Sequence, residues 1–155
     1  MNRSSKIFLG LSLFFLLSFT ISITPSIQSY GFYTCECMDS CAVVYEVSPQ
    51  GLSKSYPKTY CNSQRNPSNL PTQWKRNENS NAKLLVTIPL WMLFEPRNIF
   101  GNPDAYDQGG YIFSFEYMGI RRNFLFDPNN SGPFYKAHFS KTIGNQIELI
   151  RPFFK

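Results

Sequence analysis

The sequence predicts an α+β domain: a small antiparallel sheet of two hairpins, with one or two helices packed on one face and a disulfide-stapled N-terminal part. Three observations carry this. Residues 111–126 alternate as a hairpin does, residues 42–60 hold a strand–turn–strand pattern, and residues 135–150 repeat apolar side chains at helical spacing. An antiparallel sheet covered by helices on one face is the layer arrangement that suits such an order of elements.

The chain begins with a segment that stands outside this domain. Met1 to Lys6 carries Arg3 and Lys6 and no acid, and Ile7–Ile23 (IFLGLSLFFLLSFTISI) follows without a charge. A basic start before an apolar run is the layout of a secretory signal peptide. A membrane anchor needs roughly 20 apolar residues to span the hydrocarbon core. This run has seventeen, and its last five include Thr20 and Ser22. Thr24-Pro25-Ser26 offers short side chains where a signal peptidase reads, and Ser29 offers a second site, so cleavage is favoured over a retained anchor. Cys35 lies too far beyond the run for a lipid-modified terminus. The expected division is 1–26 as signal peptide or N-terminal membrane anchor and 27–155 as a single domain. The protein is then exported to the periplasm, cell surface or extracellular space, or else anchored by a single transmembrane helix. A membrane is met only through residues 7–23, if they are uncleaved.

In chain order, Tyr30 to Cys37 can extend as a strand, and Ala42 to Val47 is a clearer one, rich in β-branched and aromatic residues. Ser48-Pro49-Gln50-Gly51 is a turn by composition, and Leu52 to Tyr60 returns as the partner strand. Asn62 to Asn81 is polar and punctuated by Pro67 and Pro71. A helix is expected to enter at Pro71 and run toward Leu84, Leu85, Val86 and Ile88, with Pro89 ending or kinking it. A strand from Lys83 to Ile88 is the rival, because Val86, Thr87 and Ile88 are weak helix formers. Leu90 to Phe94 is an apolar cluster containing Trp91, expected to be buried against the sheet.

Phe100 to Gly110 (FGNPDAYDQGG) is almost entirely turn chemistry, since Asn102-Pro103-Asp104 and Gly109-Gly110 each demand special backbone angles. Tyr111, Phe113, Phe115 and Tyr117 then alternate with Ile112, Ser114, Glu116 and Met118. A two-residue loop at Met118-Gly119 pairs Tyr117 with Ile120, Phe113 with Phe124 and Tyr111 with Phe126. The same register sets Glu116 opposite Arg121 and Ser114 opposite Asn123, giving an aromatic face and a face with a charge pair. Arg122 opposite Phe115 is the misfit, accommodated if its stem lies over the ring. After a loop from Asp127 to Pro133, the residues Tyr135, Phe139, Ile143, Ile147 and Ile150 form one stripe of an amphipathic helix. Gly144 within it costs about 1 kcal/mol relative to alanine. Pro152 stops the helix.

Aromatic residues make up 17% of the chain and charged residues 16%, which describes a globular, aromatic-rich chain rather than a disordered one. The formal charge of +5 includes Arg3 and Lys6, and all of the remaining excess lies between Arg121 and Lys155, with six basic and two acidic residues, the stretch before it being slightly acidic. Such a basic third reads first as a solvated face. No basic run tracks a phosphate backbone, so nucleic acid is not an expected partner.

The four cysteines are Cys35, Cys37, Cys41 and Cys61. An even set in an exported chain argues for disulfides. Cys35 and Cys37 share a strand face, and a bond across so short a loop is strained, so each is expected to pair with Cys41 or Cys61. Four thiolates can also hold zinc, but the spacing is not that of a zinc knuckle and no histidine is near, so no metal is expected.

Chemistry is sparse. His138, the sole histidine, falls off the apolar stripe and is expected in solvent. Asp104 and Asp107 with Asn102 offer oxygen ligands for calcium, but without the acidic spacing of an EF-hand, so turn capping is the favoured role. No catalytic residue and no cofactor is expected, and the chain does not read as an enzyme. The stretch from Phe100 resembles one in small exported proteins of Bacteroidota-type bacteria, where a Gly-x-Pro-Asp-x-x-Asp-x-Gly-Gly loop leads into a hairpin and a closing helix. The residues that carry the likeness are Gly101, Pro103, Asp104, Asp107, Gly109, Gly110 and Tyr111. Many of those proteins flank Pro-Asp with cysteines; Asn102 and Ala105 stand there in this chain. The layout over roughly residues 80–150 is also similar to emfourin-type inhibitors of thermolysin-like proteases. Neither resemblance implies a reaction or a cofactor.

The expected function is a non-enzymatic exported binding module for a protein partner, with protease inhibition as one form of it. The candidate binding loop is Asn102, Pro103, Asp104, Asp107, Gly109 and Gly110, because function concentrates on rigid loops held by a scaffold. The alternative is a membrane-anchored structural protein of the envelope.

Overall fold

The computed structural model describes residues 21–34, 42–56, 75–77, 84–103, 109–129, 132 and 134–154. The strands are β1 (Ser22–Ile23), β2 (Ile27–Tyr33), β3 (Ala42–Ser48), β4 (Gly51–Ser55), β5 (Lys75–Asn77), β6 (Ile88–Pro89), β7 (Ile99–Phe100), β8 (Gly110–Tyr117) and β9 (Ile120–Phe126). One α-helix among the described residues, α1 (Phe134–Ile150), runs into a 3-10 turn over Arg151–Phe154.

The β8–β9 hairpin has the register that its alternation predicts, from Tyr117 opposite Ile120 to Tyr111 opposite Phe126. Its turn residues, Met118 at φ 51° and Gly119 at φ 78°, both lie in the left-handed region that a type I′ turn requires. The first hairpin also forms. Ser48 pairs with Gly51 across Pro49-Gln50, and the Ser48 hydroxyl donates to the Gly51 carbonyl at 3.2 Å. Its return strand is shorter than the expected run to Tyr60, ending at Ser55, beyond which residues 57–60 lie outside the described set.

Between the hairpins lies β2, antiparallel to both β3 and β8. The main sheet therefore has seven strands in the order β5-β4-β3-β2-β8-β9-β7, with β7 parallel to β9 at one edge. This register stacks Tyr45, Tyr30, Phe113 and Phe124 in one row across four strands. The expected apolar stripe of α1 lies on that face: Ile143, Ile147 and Ile150 are buried in the same core. Phe139 wedges its ring between Phe113, at 5.0 Å between centroids, and Phe126, at 5.8 Å. Each such buried ring contributes on the order of 2 kcal/mol through area removed from water. The helix stops at Ile150, ahead of Pro152, and the following turn lays Phe154 against Tyr45.

The opposite face is not simply polar. Tyr33, Ala42, Val44, Ile112 and Leu125 form a second buried cluster there. Beside it, Arg121 stands opposite Glu116 as expected, yet its Nη2 lies 3.8 Å from Glu46 Oε2 on β3, with β8 and β2 between them. Strand spacing sets those backbones about 14 Å apart, so both side chains extend across the sheet. The small Ser29 and Ser114, paired on the intervening strands, leave room for that crossing and are themselves buried. Arg122, the expected misfit, lies over the Phe124 ring at 5.5 Å rather than over Phe115, and donates to the Glu95 carbonyl.

The expected helix from Pro71 to Ile88 is not what forms. Lys75–Asn77 is an edge strand paired with β4, and Ile88–Pro89 is a short strand paired with β1. The rival strand from Lys83 is likewise confined to Ile88–Pro89. Leu85 to Thr87 are irregular, and the backbone of Val86 is satisfied by a side chain instead. Gln28, fully buried on β2, accepts from the Val86 N–H at 3.0 Å and donates to the Val86 carbonyl at 2.7 Å. Its Nε2 also donates to Pro25 O at 3.2 Å, and Tyr30 Oη donates to its Oε1. β-branched Val86, Thr87 and Ile88 are poor helix formers, and an amide offering both a donor and an acceptor takes up both backbone groups of Val86 in place of helical partners. Burial raises the Tyr30 hydroxyl far above its ordinary pKa, keeping it a neutral donor. In the following 3-10 turn (Leu90–Leu93), Met92 is the buried residue and Trp91 packs partly exposed against the core.

Replacing Gln28 with leucine strands the Val86 N–H and the Val86 and Pro25 carbonyls, and leaves the Tyr30 hydroxyl only the Leu84 carbonyl at 3.4 Å. Urea unfolding should show a loss of about 3 kcal/mol or more, at about 1 kcal/mol or above for each buried group left unpaired.

Candidate functional site

The loop between β7 and β8 is held at both roots, by different means. At the first root, Leu125 N–H donates to Asn98 O at 2.8 Å and Asp127 N–H to Phe100 O at 2.9 Å. The β7 strand was not foreseen, and it exists because these bonds add a parallel edge to β9. Asp127, which ends β9, is buried. Its Oδ2 accepts from the Asn102 N–H at 3.1 Å and its Oδ1 from the Asn129 N–H at 2.8 Å. The Asp127 carbonyl accepts from the Ser140 hydroxyl on α1 at 3.2 Å. One residue thus ties together the loop entry, the end of β9 and the helix.

The second root is fixed by contact. Gly109 has φ 72°, and a Cβ there would lie 2.3 Å from the Tyr33 carbonyl oxygen and 2.6 Å from Phe32 Cζ. At Gly110 a Cβ would lie 2.5 Å from the Tyr33 ring. Neither position admits a side chain, so this Gly-Gly pair seats β8 against β2. Of the expected loop residues, Asn102 is exposed, Pro103, Gly109 and Gly110 are buried, and Asp104 and Asp107 lie outside the described residues. Cys35, Cys37, Cys41 and Cys61 lie outside them too. His138 is exposed on α1, as expected.

Beside the second root opens a cleft of about 660 Å³ between α1 and the sheet. Phe32 and Tyr111 form its sheet side, with rings 6.0 Å apart edge to face. Lys141, Gly144, Asn145 and Glu148 form its helix side, and Arg151 and Pro128 flank it. Phe32 belongs to both features, because its ring lies under Gly109 and lines the cleft. Gly144 keeps the cleft open: a Cβ there would stand 2.9 Å from the Tyr111 hydroxyl oxygen. The helix-propensity penalty of this glycine thus has a local counterpart in space for Tyr111. Arg151 pairs with Glu148 at 3.3 Å on the exposed rim, and Lys141 adds a further exposed cation. The Gly109 root of the loop thus adjoins the cleft through Phe32, and the cleft is aromatic on its sheet side with the exposed cations Lys141 and Arg151 on its helix side.

The cleft was not read from sequence, although a signal was present. Lys141, Gly144, Asn145 and Glu148 recur at three, one and three residues, a second helical stripe beside the apolar one. A glycine inside such a stripe marks a place where another group comes close.

On the far face, burial raises the Glu46 carboxyl above its ordinary pKa, the Arg121 guanidinium pulls it back and Glu116 pushes it further up. The Ser29 hydroxyl eases the shift by proximity, without reaching hydrogen-bond geometry to a partner among the described residues. The folded chain therefore holds this proton more tightly than the unfolded one does. Stability should fall as pH rises from the ordinary glutamate value through the raised one. Glu46→Gln should flatten that slope in urea unfolding as pH rises above the ordinary glutamate value. For the loop root, Asp127→Ala should cost about 2 kcal/mol, through two lost charge-assisted bonds. Hydrogen exchange at the Asn102 amide should accelerate in the same variant.

No protein-family model, curated protein or solved structure matches this chain.

Proposed function

We propose that the chain is an exported, non-enzymatic binding module that engages a protein partner through the loop between Gly101 and Gly110 and the adjoining cleft. The observation that carries this reading is the double anchoring of the loop, through Asp127 at one root and through Gly109-Gly110 beneath Tyr33 at the other. A loop fixed at both ends loses little conformational freedom when it docks, which favours affinity. Inhibition of a protease is the form of binding that suits such a loop best, because a segment anchored at both roots resists being drawn through an extended substrate cleft. The cleft adds aromatic side chains and a cationic rim, a combination that complements an apolar or acidic side chain of the partner. In the same reading, Cys35 and Cys37, between β2 and β3 in sequence, each pair with Cys41 or Cys61 and staple the N-terminal half of the sheet.

The test replaces residues 104–108 with a Gly-Ser segment of equal length and, separately, Lys141 with glutamate. Both variants should keep the thermal midpoint within about 3 °C of the parent, as surface changes do. The loop replacement should weaken inhibition in a protease panel, or capture of the extracytoplasmic partner, by at least about tenfold. Lys141→Glu should weaken it less. A loop replacement that binds and inhibits as the parent does would remove the basis of this reading.

A further inference from the structure

The last residues of the apolar N-terminal run already belong to the fold, earlier than the sequence pattern places its start. Ile21 O accepts a hydrogen bond from Leu90 N–H at 2.9 Å, and β1 pairs Ser22 with Pro89 and Ile23 with Ile88. Ile23 packs partly buried against the main core. The Thr24 and Thr87 hydroxyl oxygens lie 3.2 Å apart, and Pro25 O accepts from the buried Gln28 amide. Every residue from Ile21 to Pro25 thus makes a contact that the domain uses.

This changes the length of the segment left for targeting. With Ile21–Ile23 in the domain, the uncharged run shortens to Ile7–Thr20, fourteen residues. As a helix these would span about 21 Å, well short of a hydrocarbon core of about 30 Å. They fit a signal peptide instead. Arg3 and Lys6 form the basic start, and Ile7–Leu17 is an apolar core of eleven residues. Ser18-Phe19-Thr20 then gives the small-x-small pattern that precedes a signal-peptidase cut.

We propose that signal peptidase cleaves between Thr20 and Ile21, so that the mature protein starts at Ile21 and β1 is its first element. The proposal rests on the export half of the functional reading and not on the loop or the cleft. Cleavage precedes folding, so the fold does not shield other sites; it records which residues the mature chain keeps. A cut after Ser22 would divide β1, and one after Ser26 would remove β1 together with the Pro25 carbonyl that Gln28 binds. A cut at Ser29 would fall inside the central strand β2, where that residue is 1% exposed.

The experiment expresses the full chain from Met1 in a secretory host and reads the extracytoplasmic product by N-terminal sequencing and intact mass. The expected N-terminus is Ile21, and Thr20→Phe should accumulate the uncleaved precursor. Chains beginning at Ile21 and at Ile27 are then compared by thermal unfolding, and the shorter should melt lower by about 5 °C or more. An exported product beginning at Ile27 or later, or one that keeps Met1 in the membrane fraction, would overturn the cleavage site while leaving export intact. A product that never leaves the cytoplasm would overturn the site and the export reading together. Equal melting of the two truncated chains would remove the structural basis for choosing Ile21.

Discussion

The side-chain amide of Gln28 is the contact on which the packing of the aromatic face depends. It sits on the central strand, at a position where the alternation calls for an apolar residue, and it is fully buried. Through Val86 it fastens the irregular segment ahead of β6 to the sheet, and through Pro25 it fastens the segment that carries β1. An amide can do this because it presents one donor edge and one acceptor edge, as a peptide group does. The neutral Tyr30 hydroxyl completes its acceptor capacity from the same strand. With these partners in place the polar group is satisfied in a core where an unpaired one would be costly. Leu84 and Ile88, on either side of Val86, are thereby set among the buried residues of the core.

That clamp also explains how the small β1–β6 ladder joins the larger sheet. Its two strands are too short to be stable alone, and two-stranded ribbons in water are marginal at best. They persist because Gln28 holds the chain just outside both strands, at Pro25 and at Val86. Through that ladder Ser22 and Ile23 are tied to Pro89 and Ile88, close to the point where Gln28 grips the chain.

Across the sheet from the clamp, the two hairpins are joined through β2, and the loop and cleft sit where β2, β8 and α1 converge. Asp127 and the Gly109-Gly110 pair act from opposite ends of the loop, one by hydrogen bonding and the other by steric exclusion. The cleft borrows its sheet side, Phe32 and Tyr111, from residues that also belong to the fringe of the core. A partner that binds there meets side chains already ordered by the fold. This is the physical link between the aromatic-rich composition and the proposed recognition surface.

The sequence by itself determined the features that rest on short-range periodicity. The β8–β9 register follows from strict alternation and a two-residue turn. The stripe from Phe139 to Ile150 follows from helical spacing, and the first hairpin from Pro and Gly at its turn. Each of these is decided by neighbours a few residues apart, so a single chain displays them. What anchors the two roots of the loop, Asp127 at Asn102 and Tyr33 over Gly109-Gly110, was not legible. Tertiary structure decided the rest, because it rests on contacts between residues far apart in sequence. Lys75–Asn77 became a strand because β4 offered an open edge, and Val86 stayed out of a helix because Gln28, 58 residues away, supplied its hydrogen bonds. Arg121 reached past its register neighbour Glu116 to Glu46, a choice that depends on the small residues between them. The cleft exists only because α1 lies across β2 and β8 with a glycine facing Tyr111. No local pattern encodes that approach, since it depends on how two separate elements meet.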